Sequence, residues 1–269
     1  MKNIVIGEHF SQSYRITGSN MDSEYRMTVV AVLSFFQDTV ASYLTTRNLA
    51  AFDIADDGYL WVLSDYSLDV AEKMPLWREN IEAVICPSEV SAVKLFFDYY
   101  LKNNKGEVFA KGTSRWSIVN VSDGRPVQIS EVVAVSGDNV TRHPKTVFPP
   151  IVNKLMEYNH LTNISDIDFN NHVNNISYIR IALSAMPLEM AKSFCLESLS
   201  IKFMCQCRIN ENLTCRYDMC KDDGMCLCSI VNDKEQEVCR LVLRFVPNSG
   251  VSSRQHIKDV VNRSEIVNY

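Results

Sequence analysis

The residues best suited to chemistry in this chain lie between Ser165 and Tyr178, in the run Ser-Asp-Ile-Asp-Phe-Asn-Asn-His-Val-Asn-Asn-Ile-Ser-Tyr. Asp166, Asp168, Asn170, Asn171, His172, Asn174 and Asn175 crowd its first part. An apolar stripe follows at Ile176, Ile179, Leu183 and Met186, the three- and four-residue spacing of one helix face. Asn174 or Asn175 is suited to cap that helix, because its side-chain oxygen accepts a free backbone N–H of the first turn. A carboxylate, an amide and an imidazole thereby sit at the positive end of a helix dipole. Histidine carries protons near neutral pH, and amide and helix N–H groups polarise a carbonyl oxygen. The combination suits a site that handles a polarised carbonyl. A plain turn competes with this reading, since Asn and Asp side chains also bond the local backbone.

The elements that must hold this loop show in the patterning. A strand-like opening (Phe10, Tyr14, Ile16) leads through the turn-rich Gly18–Asp22 to a long helical pattern. That pattern is Val29, Leu33, Phe36, Val40, Tyr43 and Leu44, with Thr28 as its N-cap. Arg47 to Gly58 reads as a loop. Alternation at Tyr66, Leu68 and Val70, then over Asn80–Cys86, Ala92–Leu101 and Val108–Val119, predicts four strands. The last two join through a hairpin at Asn103–Gly106. A Gly- and Pro-punctuated linker spans Asn120 to Asn153, with a helical turn near Ser130–Ala134. The order then recurs, with a strand at Leu155–Leu161 and a helix over Asn174–Met186. Alternating strands follow around Leu199–Phe203, Leu213–Met219, Cys226–Ile230 and Cys239–Phe245, with a turn at Lys221–Gly224. Laying Asp22 on Asp168 puts Arg26 on His172 and Thr28 on Asn174. An internal repeat is expected, in which only the second copy keeps the imidazole.

At 269 residues, 46% hydrophobic and 22% charged, the chain reads as a soluble globular protein of one large or two ordinary domains. No run nears the roughly 20 apolar residues that cross a bilayer, and Met1–His9 lacks a secretory apolar run. A cytoplasmic protein without a membrane partner is expected. A net charge of −5 weighs against nucleic acid as a partner. Of the nine cysteines, all but Cys86 fall between Cys195 and Cys239. Cys205-x-Cys207 and Cys226-x-Cys228 have the spacing of one strand face rather than of Cys-x-x-Cys metal knuckles. An odd count disfavours a disulfide framework. Neither a metal nor a cofactor is expected, and most of these thiols read as small buried hydrophobes.

Asp168-x-Asn170-x-His172-Val173-Asn174-Asn175-x-x-Tyr178 resembles the active-site signature of the acyl-acyl-carrier-protein thioesterases. Gln37, Leu60-Trp61-Val62, Pro75-x-Trp77 and Ser114-x-Trp116 look like landmarks of the same family, so the resemblance spans about Phe10 to Pro247. It implies an α+β protein of two tandem hotdog domains, residues 1–140 and 150–247, followed by a polar tail over 248–269. Each domain would wrap an antiparallel sheet round a long central helix, and the two sheets would join as a pseudo-dimer. The implied activity is hydrolysis of the thioester of an acyl-acyl-carrier-protein, releasing free fatty acid in fatty acid biosynthesis. Asp168 and His172 would serve acid–base chemistry and nucleophile activation, with Asn170 positioning. The family's Glu-Cys pair falls on Gln206-Cys207, so the thiol is kept and an amide replaces the carboxylate. Water attack and a covalent route at Cys207 both stay open. The acyl chain is expected in the first half, against the Val29–Leu44 helix and strands around Trp61, Phe96 and Phe97. An acidic carrier protein would need a local basic patch, for which Arg115, Lys111, Arg180 and Lys202 are candidates. A homodimer of the fused pair is left open. A hotdog hydroxyacyl dehydratase and a non-catalytic acyl-binding regulator are the alternative readings, and release of free thiol separates the three.

Overall fold

The computed structural model describes residues 2–152, 156–219 and 224–248; positions 221–223 of the expected turn and the tail past Asn248 lie outside them. The first half runs β1 (Asn3–Val5), β2 (Phe10–Arg15), α1 (Val29–Thr45), α2 (Ala51–Ala55), β3 (Tyr59–Val70), β4 (Asn80–Val90), β5 (Leu95–Asn103) and β6 (Val108–Asn120). After α3 (Ile129–Val132) and β7 (Ala134–Ser136), the second half adds β8 (Met156–Leu161), α4 (Asn175–Ser184) and α5 (Leu188–Ser193). It closes with β9 (Phe194–Phe203), β10 (Asn212–Met219), β11 (Met225–Asn232) and β12 (Glu237–Pro247).

Ten strands form one antiparallel sheet in the order β2-β4-β5-β6-β3-β9-β12-β11-β10-β8. Outward from the central β3–β9 seam, the two sides carry matching strands in the same sequence order. Helices α1 and α4 touch on one face of this sheet. The apolar stripe of α1 explains its place: Val32, Phe36, Val40 and Tyr43 are at most 2% exposed. Each such side chain contributes about 1.5–3 kcal/mol by leaving water. Phe36 meets Tyr99 at 4.8 Å and Tyr43 meets Phe97 edge-on at 6.0 Å. In the second half Tyr217 of β10 anchors α4 by donating its hydroxyl to the Ala182 carbonyl at 2.6 Å. Cys215, Cys228 and Cys239 are fully buried around it. Residues 137–152 cross the opposite face, where His143 stacks on Phe96 and Thr146 reaches Ser67.

Several elements differ from the pattern-based expectation. The loop between Arg47 and Gly58 contains α2, whose first turn is closed by the Asp53 carboxylate accepting the Ala50 N–H at 2.8 Å. Helix α4 stops at Ser184 because Pro187 cannot supply the N–H of a further turn. β1 and β7 pair in parallel as a separate two-stranded sheet across the length of the first half. No local pattern encodes such a pairing.

Gly112 of β6 lies between Leu68 and Tyr99, and an added Cβ there would stand 2.5 Å from the Ser67 carbonyl oxygen. Gly112→Ala is expected to force the strands apart at a cost of about 1–3 kcal/mol. Thermal unfolding should show a midpoint several degrees lower; an unchanged midpoint would mean the strands adjust freely.

Candidate active site

The loop before α4 is a closed turn built by its own aspartate. Asp168 Oδ1 accepts the N–H groups of Asn170 (2.8 Å) and His172 (3.4 Å). The Asp168 N–H donates to the His172 carbonyl at 2.9 Å, and Asn171 N–H to the Asp168 carbonyl at 3.0 Å. Asn171 sits at φ 60°, a left-handed conformation that Asn tolerates. Asn174 then caps α4 by accepting the Ile176 N–H at 2.9 Å. The competing reading of this run as an ordinary Asx turn is thus true of its backbone. It does not account for the side chains left over.

The first half repeats this construction residue for residue. Asp22 Oδ1 accepts from Glu24 N–H (2.8 Å) and Arg26 N–H (3.0 Å), and its own N–H donates to the Arg26 carbonyl at 2.8 Å. Tyr25 takes φ 60° and Thr28 caps α1. The difference lies in charge. Asp22 Oδ2 is bound by Arg26 Nε at 3.2 Å, and the guanidinium reaches Cys195 Sγ at 2.9 Å. Asp168 has no cationic partner among the described residues, and there the His172 ring makes no hydrogen bond. Asp168 and His172 are half-buried and Asn170 is exposed.

A second cluster props this loop from behind. Asp166, 1% exposed, accepts from His160 Nε2 (2.8 Å), Arg180 (2.7 Å) and the Asn163 N–H (2.9 Å). Its carbonyl receives the Asn174 N–H at 2.8 Å, so it also fixes the helix start. Burial would raise the Asp166 carboxyl, but the His160, Asn163 and Arg180 hydrogen bonds outweigh it and hold the group below its usual range. His160 and Arg180 as partners of Asp166 escape a reading from spacing, since they come from β8 and α4.

Cys207 is carried under the loop by main-chain bonds: Val173 N–H donates to its carbonyl at 2.8 Å, and its N–H donates to the Tyr178 hydroxyl at 3.2 Å. The Cys207 side chain is fully buried, and burial pushes its thiol up to about 11. Gln206 is exposed. The fold therefore brings Asp168, Asn170 and His172 into one turn with Cys207 against it, while Gln206 faces solvent. The start of α4 opens on a cleft between the helices, lined among others by Leu33, Gln37, Tyr66, Trp116, Asn175 and Ile179. Its free volume of about 10 Å³ is close to that needed by one water. Phe96, expected to line an acyl pocket, faces the other side of the sheet and stacks on His143 at 5.1 Å.

The four candidates for a basic patch each lie beside a carboxylate. Arg115 is held by Asp65 (3.1 Å), Lys111 by Asp69 (3.7 Å) and Arg180 by Asp166 (2.7 Å), while Lys202 sits opposite Asp65. Strand alternation also puts Arg115, Lys111 and Lys202 on the face away from the helices. Among the described residues no group of three or more side chains could hold a metal ion, and no helix is long and apolar enough to cross a membrane.

Fold and loop together define a protein of repeated helix-on-sheet units, each with an aspartate-closed turn before its helix. Residues 7–135 match the profile of the acyl-ACP thioesterase N-terminal domain, and residues 153–247 that of the acyl-ACP thioesterase C-terminal domain. The chain belongs to the acyl-ACP thioesterase family. It is 23% identical over 215 residues to the chloroplastic palmitoyl-acyl carrier protein thioesterase of Arabidopsis thaliana, covering 74% of this chain and 52% of that protein. It is 25% identical over 211 residues to oleoyl-acyl carrier protein thioesterase 2 of the same plant, covering 71% and 54%. The chain thus spans about half the length of the curated relatives it matches. Among solved structures it shares its fold with an acyl-ACP thioesterase from Bacteroides thetaiotaomicron (TM-score 0.77, 17% identity, 88% and 98% covered). The 12:0-ACP thioesterase from Umbellularia californica is similar too (TM-score 0.78, 17% identity, 89% and 97% covered).

Because the Asp166 carboxyl is depressed in the folded state, its stabilisation is present above the unfolded-state pKa and is lost as pH falls through the folded value. Asp166→Asn is therefore expected to lose roughly 2 kcal/mol at pH 7. The gap to wild type should shrink as pH drops below about 4. Denaturant titrations at pH 7 and pH 3 check this; an equal gap at both would exclude the carboxylate as its source.

Proposed function

We propose that this chain is an acyl-carrier-protein thioester hydrolase built of two tandem hotdog units, one within residues 1–140 and one within 150–247, their sheets joined as a pseudo-dimer. One observation carries the reading. Two copies of the same aspartate-closed turn exist, and among the described residues only the second leaves its carboxylate and an imidazole outside any ion pair, ahead of a helix whose first residue lines a cleft. The substrate class is taken from the family.

In this reading the thioester carbonyl lies at the start of α4. The Asn174 cap engages the Ile176 N–H and the Ser177 N–H donates to the Asn174 carbonyl, which leaves the Asn175 N–H for an oxyanion. Asn170 supplies a side-chain amide to the same oxygen. Asp168 keeps the turn closed with one carboxylate oxygen and orients a water with the other. His172 takes the proton as that water attacks the carbonyl carbon. The C–S bond then breaks and the imidazolium returns the proton to the leaving sulfur. The products are a carboxylic acid and the carrier's free thiol. Cys207 supports the turn rather than attacking, because a thiol held near 11 supplies little thiolate at neutral pH.

His172→Ala and Asp168→Asn are each expected to lower kcat by about a hundredfold or more with the fold intact. Asn170→Ala should cost less, since the helix amide remains. Release of free thiol from an acyl-acyl-carrier-protein is the measurement, and wild-type rates in His172→Ala would end this assignment. Cys207→Ala should keep most of the turnover; near-total loss together with an isolable acyl-enzyme in wild type would establish the covalent route instead.

A further inference from the structure

Within themselves the two aspartate-closed turns are bonded alike; what reaches them from outside differs. The His172 carbonyl accepts the Asp168 N–H at 2.9 Å, and the Arg26 carbonyl accepts the Asp22 N–H at 2.8 Å. Two residues on, Asn174 N–H is tied back to the Asp166 carbonyl at 2.8 Å and Thr28 N–H to the Asn20 carbonyl at 2.9 Å. Between these bonds lies one N–H that the copies treat differently. Val173 N–H donates to the Cys207 carbonyl at 2.8 Å, whereas its counterpart Met27 N–H has no hydrogen-bond partner among the described residues. The peptide unit joining His172 to Val173 is therefore held at both ends, and that joining Arg26 to Met27 at one.

The extra bond comes from the irregular segment between β9 and β10, and Tyr178 holds that segment in place. The Tyr178 hydroxyl accepts the Cys207 N–H at 3.2 Å. Tyr178 is the fourth residue of α4, is 2% exposed, and has its ring 6.1 Å from that of Phe203. The bonds close a ring: Tyr178 to the main chain of residue 207, on to Val173, and back along the first turn of α4. The counterpart of Tyr178 on α1 is Val32, buried at the same place in the repeat and without a hydroxyl. The copy with the imidazole has this clamp, and the copy with Arg26 has neither.

We propose that Tyr178 is a positioning residue for the reaction at this turn: its hydroxyl holds the main chain of residue 207 against Val173 and so sets where the His172 ring stands. The proposal rests on the hydrolase reading of the turn. A proton carrier acts only within hydrogen-bond reach of its partner, and the His172 ring makes no bond of its own among the described residues. Its place is therefore decided by the peptide units on either side of its Cα, and a small misplacement there is paid in rate rather than in substrate binding.

The test compares wild type, Tyr178→Phe and Tyr217→Phe by release of free thiol from an acyl-acyl-carrier-protein, with amide exchange of Val173 and Met27 followed by NMR. Tyr217→Phe is the control, because it too removes a buried tyrosine bond to α4, the one to the Ala182 carbonyl near the helix's other end. Tyr178→Phe should lower kcat about tenfold with KM changed by less than about twofold, and its Val173 amide should exchange faster than in wild type. Tyr217→Phe should keep the wild-type kcat. Wild-type kcat or unchanged Val173 exchange in Tyr178→Phe overturns the proposal, as does an equal fall of kcat in both variants. Should Tyr178→Phe not fold, the wild-type protein decides: Val173 must be protected at least about tenfold more than Met27, and equal protection overturns the clamp. Lack of wild-type turnover on every acyl-acyl-carrier-protein would overturn the hydrolase reading, while the exchange rates would still report on the clamp.

Discussion

The site depends above all on the register of β3 against β9. Five residue pairs, from Asp65↔Lys202 to Asp69↔Ser198, zip the two halves of the sheet together. Ser67 and Ser200 face each other at the centre with their hydroxyls 3.1 Å apart. Because side chains alternate along a strand, this register turns Tyr66, Leu68, Leu199 and Ile201 toward the helices and Asp65, Ser67 and Asp69 away. Helix α1 therefore lies beside α4, and the cleft takes one wall from each half. A slip of β3 by one residue would send Tyr66 and Leu68 outward and bring Asp65 and Ser67 in. Since Tyr66, Leu68, Leu199 and Ile201 are all at most 5% exposed, hydrophobic burial holds the register that the chemistry needs.

Given that scaffold, the two copies differ by a few charges. Helix caps, left-handed residues and backbone bonds coincide between the Asp22 and Asp168 turns. Around them the first copy has Tyr14, Asn20, Arg26 and Ser34 where the second has His160, Asp166, His172 and Arg180. In the first copy the arginine lies within the turn and neutralises its aspartate. In the second a cation stands behind the turn, on α4, and neutralises Asp166 instead. Moving the positive charge from turn to helix leaves Asp168 available for solvent. It also gives the loop a rigid, charge-balanced base, which a site must have if its groups are to stay within a few tenths of an ångström of a reacting atom.

How far the chain could be read in advance follows from the range of each interaction. Thr28 and Asn174 were legible as caps because a cap is settled within three residues. The turn around Asp168 was legible for the same reason. β3 begins at Tyr59, ahead of its alternating part, because the Trp61 indole docks on the Leu49 carbonyl at 2.8 Å and extends the ordered strand. That contact is tertiary and leaves no periodic trace. The same holds for the β1–β7 pair and for the His160–Asp166–Arg180 cluster, whose members are ordinary polar residues until the fold assembles them. The landmarks Gln37 and Trp116 could be recognised as residues, but their shared role in one cleft needed α1 and β6 in place.

Cys207 keeps a reactive residue type in surroundings that favour the protonated thiol. Its position is defined by main-chain bonds to Val173 and Tyr178, which any residue could make. Its side chain points into the packed core with Cys239 and Tyr178 close by, and burial holds it in the protonated form. Ionising it there would put a negative charge among buried groups, and the residue beside it, Gln206, is a neutral amide turned to solvent. The carboxylate near the thiol is that of Glu211, which hydrogen-bonds it and, after burial, also raises its pKa. As placed, residue 207 fills a small buried volume beneath the turn. His172 contrasts with it: half-exposed, its ring makes no hydrogen bond among the described residues.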